Sequence, residues 1–297
     1  MGVLALVLAS VLWGTTGTSA TFLPDDVSPL AVGASTMGVG GLLLAATAPR
    51  MTRTVLRDPV ARRWVLLGAI GVVVYPLAFY AGMDLAGVAV GNVVALGSGP
   101  VFAALIEWIA TRERLSRRWA ASTLLAVVGI ALLAGGRDEG GAPHSPEETA
   151  LGVGLALLAG LAYALFTVAS SHAIRRGMPS RGVMGAMFGV GALALLPVLA
   201  VTGAPLLQSW GSVGIAAYLA LGPMLLAYVL FGVGLRTVPS TTATTITLLE
   251  PVVATVLAVL VVGERLTLVG WLGGALVLAG LTLLVTARRG PDPGPRL

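Results

Sequence analysis

The chain has 297 residues, of which 57% are hydrophobic and 10% charged, with a mean hydropathy of +0.95. That balance excludes a water-soluble globular domain, in which charged residues run near a quarter. The formal net charge is +5, and the absence of cysteine excludes disulfides, thiolate metal sites and cysteine nucleophiles.

Apolar stretches of roughly 20 residues, the length needed to cross about 30 Å of hydrocarbon, follow one another almost from end to end. The first, 2–22, resembles a signal peptide in its length and in the small residues near Ala20. No basic residue precedes it, so it is expected to be retained. It carries Trp13. The next stretches are 29–48, 64–83 with Tyr80, 87–110 with Asn92, Pro100 and Glu107, and 118–135. A polar stretch, Gly135 to Thr149, reads as a flexible linker. Beyond it lie 151–173 with Tyr163, 182–202, 211–234 with Tyr228, 238–262 with Thr247, Glu250 and Pro251, and 268–287. Lipid offers no partner to backbone groups, and strands of a barrel would be half as long, so the spacing predicts ten helices.

All 18 basic residues are arginine, and only Arg137 and Arg265 fall in loops that follow odd-numbered spans. The positive-inside rule therefore places both termini in the cytoplasm. Acids including Asp25, Asp26, Asp138, Glu139, Glu147 and Glu148 fall on the other side. The sequence pI near 10.4 reflects this topology and contact with anionic headgroups, and a nucleic-acid partner has no support.

One passage occurs twice, 151 residues apart: "PVFAALIEWIATRERLS" from Pro100 and "PVVATVLAVLVVGERLT" from Pro251. An odd number of crossings separates the copies, so the halves are expected to be inverted repeats. The predicted fold class is an all-α integral membrane protein with ten transmembrane helices in two inverted five-helix repeats. The predicted domains are 1–135, an external linker 136–150, 151–287, and a cytoplasmic tail 288–297.

With "LWG" at Leu12 to Gly14, "LEPV" at Leu249 to Val252 and the paired "ERLS" and "ERLT" endings, the chain resembles the EamA family of the drug/metabolite transporter superfamily. The resemblance covers nearly the whole chain. It implies a carrier for small metabolites, often an exporter of amino acids or related compounds, with a cavity lined by helices 1, 3, 4, 6, 8 and 9. It implies neither an enzyme nor a particular substrate.

Polar groups at membrane depth mark the candidate site. An ionised Glu250 near the middle of the ninth span would cost about 3 kcal/mol, so it is expected to be protonated, paired or wet. Ala243, Thr247, Glu250, Ala254 and Ala258 share a stripe at 100° per residue, and the matching stripe of the fourth span is Asn92, Leu96, Gly99, Ala103 and Glu107. Such small, intermittently polar faces suit either a central cavity or close helix packing. Glu107 lies near the cytoplasmic end, where water or an arginine is in reach. Pro100 and Pro251 each remove a mid-helix hydrogen bond and permit a kink.

Trp13 and Tyr163 hold equivalent places in the two halves. With Tyr80 and Tyr228 they form walls of a cavity or pack in the core, while Tyr75 and Tyr218 are weaker candidates. Ser116 and Thr267 are expected to cap helices, with Glu113 and Glu264 pairing locally with Arg114 or Arg265. His144 and His172 are isolated, and no phosphate loop or metal-ligand spacing occurs, so no cofactor is expected. The leading reading is a secondary carrier that alternates access. It is proton-coupled if Glu250 titrates, and a facilitator or exchanger if it does not. Multiply charged anions fit poorly, whereas amines, zwitterions and neutral metabolites fit better. The alternative is a non-transporting membrane sensor or lipid-handling protein, which a lateral opening toward lipid would favour.

Overall fold

The computed structural model describes residues 1–86, 88–112, 116–135, 145–262 and 267–286. The sequence-predicted features at Glu113, Arg114, Arg137, Asp138, Glu139, His144, Glu264, Arg265 and the tail 288–297 lie outside the described residues.

Ten helices among the described residues are long and apolar enough to cross a membrane, and we number them in chain order: Gly2–Ala20, Pro29–Ala46, Pro59–Ala86, Val90–Ala110, Arg117–Gly135, Pro146–Arg175, Ser180–Thr202, Trp210–Gly234, Ser240–Val261 and Leu268–Val285. The protein is an all-α integral membrane protein of ten spans. Two spans begin about five residues before their apolar stretches do, and the reason is capping. Before Pro59, the Asp58 carboxylate accepts from Ala61 N at 2.7 Å. Before Pro146, Ser145 and Glu148 close a reciprocal capping box. Polar caps lengthen a helix without adding hydropathy, so part of the predicted linker, from Pro146 onward, is the first turn of span 6. Ser116 caps span 5 through Trp119 N at 3.1 Å, and Thr267 caps span 10 through Gly270 N.

A short helix, Pro49–Arg57, also lies between spans 2 and 3. It buries Val55 and exposes Arg50, Arg53 and Arg57, the pattern of a helix that lies along a membrane surface.

Spans pack chiefly in the pairs 3 with 6, 2 with 7, 5 with 10, 4 with 6, 1 with 8 and 1 with 9. Exchanging the two halves, so that span 1 takes the place of 6, 2 of 7 and so on, maps this set of pairs onto itself. That is the pattern an internal twofold generates, and it supports the proposal of two inverted five-helix halves.

Small residues let these helices meet closely in the absence of a hydrophobic drive between them. A Cβ on Gly129 of span 5 would lie 2.7 Å from the Gly273 carbonyl oxygen of span 10, and one on Gly71 of span 3 would lie 2.5 Å from the Ala162 carbonyl oxygen of span 6. Backbone is the obstacle in both cases, so neither neighbour can yield cheaply. Gly129→Leu should therefore lower the stability of the detergent-purified protein by about 1–3 kcal/mol, read as a reduced melting temperature. Gly154→Leu, whose Cβ would meet nothing within 4 Å, should leave it unchanged. Equal effects would show that the spans do not touch here.

Since the chain has no cysteine, single replacements report orientation cleanly. Asp25→Cys should react with an impermeant maleimide on intact cells, and Arg62→Cys only after permeabilisation. The reverse pattern would invert the topology read from the arginines.

Candidate central cavity

The ninth span is broken where it carries its acid. Its first α-helical segment, Ser240–Ile246, gives way to a 3-10 turn at Thr247–Leu249, and α-helix resumes at Glu250–Leu257 with Pro251 in its first turn. Proline has no N–H to continue the preceding helix, and a helix start is where that lack costs least. Span 8 is broken as well: Ala220–Leu226 is a π-helical turn containing Pro223. Pro100, by contrast, sits inside an uninterrupted α-helix, Val88–Thr111.

Between these two breaks lies a central cavity of about 90 Å³, room for a few waters. Glu250 is the only carboxylate among its lining residues, and no arginine lines it. Among the described residues, no group is hydrogen-bonded to the Glu250 carboxyl.

Aromatic rings are prominent in the wall. Trp13, Tyr75, Phe79, Tyr80, Tyr163 and Tyr228 all line the cavity. They are joined, through Phe188 and Phe166 behind the wall, in one chain of ring contacts: Trp13 to Tyr228 at 5.0 Å, Tyr228 to Phe188 at 4.2 Å, Phe188 to Phe166 at 5.5 Å, Phe166 to Tyr163 at 5.2 Å, Tyr163 to Tyr75 at 5.9 Å, Tyr75 to Phe79 at 5.4 Å and Phe79 to Tyr80 at 5.5 Å. Two of the rings are fixed by polar tethers. The Trp13 indole N–H donates to the Pro223 carbonyl oxygen at 2.8 Å, so the π turn of span 8 supplies its acceptor. The Tyr163 hydroxyl shares a 2.7 Å hydrogen bond with Thr247 Oγ1, which ties span 6 to the 3-10 turn beside Glu250. Tyr163 also packs on Gly99, where a Cβ would come within 2.9 Å of the ring.

Of the residues singled out in the sequence, Glu250, Trp13, Tyr80, Tyr163 and Tyr228 thus line one cavity, and Thr247 stands behind Tyr163. Asn92 does not join the lining. It is half-buried one turn beyond Leu96, the residue through which span 4 reaches the cavity. Glu107 lies elsewhere and accepts a hydrogen bond from Ser240.

Tyr75 belongs to the cavity despite its weak showing in the sequence, as do Phe79, Thr16 and Thr36. The buried Thr36 hydroxyl has no hydrogen-bond partner among the described residues. One sequence signal pointed to this region: Pro76 and Pro223 stand mid-span in the equivalent spans 3 and 8, and both line the cavity.

The cavity is displaced toward the arginine-poor end. Trp13 and Thr16 lie in the second half of span 1, Gly33 and Met37 in the first half of span 2, and Tyr75 to Tyr80 in the second half of span 3. The arginine-rich end is closed by tight polar and apolar contacts. Ser240 bonds Glu107, Trp119 Nε1 donates to the Thr241 carbonyl oxygen at 3.2 Å, and Thr123 and Thr245 share a hydrogen bond of 3.1 Å. Leu6, Phe231, Leu235 and Ala243 are fully buried there.

Similarity to known proteins follows the same architecture. The family model described as "EamA-like transporter family" matches residues 1–135 and 150–286. The "Uncharacterized transporter YwfM" of Bacillus subtilis is 32% identical over 96% of this chain and 94% of its own. The "Threonine/homoserine exporter RhtA" of Escherichia coli K12 is 28% identical over 72% of each chain. A solved crystal structure with 24% identity superposes with a TM-score of 0.77 over 95% of both chains, which shows the shared fold.

The Tyr163–Thr247 bond is open to a direct test. Tyr163→Phe keeps the ring in the wall and removes the hydroxyl, so it should lower stability by about 1 kcal/mol with little change in fold, read by thermal unfolding in detergent. No loss of stability would mean that the bond does not hold the 3-10 turn.

Proposed function

The chain belongs to the EamA-like transporter family, and from that premise we propose that it is a secondary carrier of small amine-bearing, amino-acid-like or neutral metabolites. It works by alternating access of its two halves. The observation that carries this reading is the single carboxylate, Glu250, facing an aromatic-walled cavity whose lining includes no cation. An ammonium group is attracted by the carboxylate and by the negative faces of the rings. A multiply charged anion meets neither attraction and is repelled by Glu250. Neutral solutes enter when Glu250 is protonated.

At about 90 Å³ the cavity is smaller than the 300–1,000 Å³ of ligand pockets. The conformation described is accordingly a contracted one, shut at the arginine-rich end. With that end in the cytoplasm, as the arginine distribution indicates, the cavity lies on the external side of the barrier. Export is the favoured direction, supported by the likeness to a protein named as a threonine/homoserine exporter. A cavity that reaches Glu250 at mid-span favours a carrier over the sensor or lipid-handling alternative.

Glu250 is proposed as the coupling group, loading a proton or an amine on one side and releasing it on the other. Glu250→Gln keeps the volume and holds the site neutral. In proteoliposomes it should reduce proton-gradient-driven uptake of a labelled amino-acid and amine panel by at least roughly tenfold, the effect of losing about 1.4 kcal/mol of interaction, while exchange of neutral substrates persists. Transport at the wild-type rate with undiminished pH dependence would make Glu250 structural.

A further inference from the structure

Three arginines from three different spans or loops converge on one concavity at the arginine-rich end, away from the central cavity. Arg175 ends span 6, Arg181 lies in the first turn of span 7, and Arg236 follows span 8. With Met51 of the short helix and the turn Gly177–Ser180, they line a cavity of about 560 Å³, which is within the range of ligand pockets.

The turn that shapes it is well defined. Gly177 has a left-handed φ of 95°, a conformation that glycine adopts without a Cβ penalty. The amides of Gly177 and Met178 return to the carbonyls of Ile174 and Ala173 at 3.0 and 3.3 Å. This ends span 6 and turns the chain abruptly into span 7. Pro179 then stands at the N-cap position of span 7 and supplies no side-chain cap, so the first-turn amides bordering the cavity lack the usual partner.

Nothing among the described residues neutralises the three guanidinium groups. Among the described residues, no carboxylate lies within ion-pair distance of Arg175, Arg181 or Arg236. The described acids at this end are occupied elsewhere: Asp58 accepts from Ala61 N, and Glu107 accepts from Ser240. All three arginines are exposed at the cavity mouth. Met51, Ile174 and Met178 add apolar surface to the same walls.

We propose that this cavity binds a phosphate group, carried either by an anionic phospholipid headgroup or by a soluble phosphate compound. Guanidinium forks match phosphate oxygens in geometry and charge, unpartnered helix-start amides add donors, and the apolar wall accommodates the carbon atoms next to the ester. The site does not depend on what the central cavity transports.

The test titrates the full chain, purified in neutral detergent, with dihexanoyl phosphatidylglycerol, dihexanoyl phosphatidylcholine and inorganic phosphate at constant ionic strength. Phosphatidylglycerol should bind and phosphatidylcholine should not. Removing all three charges in Arg175→Gln/Arg181→Gln/Arg236→Gln should weaken binding roughly a hundredfold, and Arg181→Gln alone several-fold. The control Arg50→Gln/Arg53→Gln/Arg57→Gln removes the same charge from the short helix outside the cavity and should bind as the wild type does. Phosphatidylglycerol binding without phosphate binding identifies the lipid as the source; comparable binding of inorganic phosphate identifies a soluble compound. Equal binding by wild type and the cavity variant, or an equal loss in the control, would overturn the proposal. So would phosphatidylcholine binding as tightly as phosphatidylglycerol.

Discussion

Hydrocarbon supplies no hydrogen-bond partners, so every polar group inside this bundle must be satisfied by the protein or by water that the protein admits. Most of the interior meets this condition locally. Four threonines of span 9 bond back to their own helix: Thr244 to the Ser240 carbonyl, Thr245 to Thr241, Thr247 to Thr244 and Thr255 to Pro251. These bonds leave the helix surface apolar enough to pack. A few buried hydroxyls, those of Thr36, Ser122 and Thr167, find no partner among the described residues, but Glu250 is the costly exception, for no such local bond is made to its carboxyl. A cavity beside it is the physical alternative to an ion pair, and the breaks in spans 8 and 9 make room for one.

That constraint explains why the whole-molecule architecture was legible in the sequence. A span must be apolar over about 20 residues whatever its function, and arginine avoids the translocated side, so the helix count and the charge asymmetry are written in composition alone. Helix ends were less legible. Asp58 and the Ser145–Glu148 box extend spans 3 and 6 through polar residues that a hydropathy reading assigns to loops. The short helix Pro49–Arg57 was invisible for the same reason, because one buried valine among arginines contributes too little to a hydropathy window.

The candidate site was partly legible. Glu250 announced itself as an acid in an apolar run, and Trp13 and Tyr163 by their equivalent positions. Tyr75 and Phe79 did not stand out, because an aromatic residue within a span is as often core as cavity wall and only the tertiary arrangement tells which. Asn92 was misled by the repeat itself. Subtracting 151 from the Glu250 stripe finds the matching helix face, but span 4 reaches the cavity at Leu96, and a polar residue one turn away on that face falls beyond its edge.

This displacement follows from an asymmetry beneath the symmetric packing. Spans pair as an exchange of halves requires, yet the position equivalent to Glu250 is Gly99, which is occupied by the approaching ring of Tyr163. Span 4 runs as unbroken helix through Pro100, while span 9 changes to a 3-10 turn before Pro251. The first half contributes a smooth wall, with Trp13 and the aromatic face of span 3. The second half contributes the acid, the broken backbone and the Pro223 carbonyl that holds Trp13 in place. The single carboxylate of the lining thus comes from one half, facing aromatic rings contributed by both.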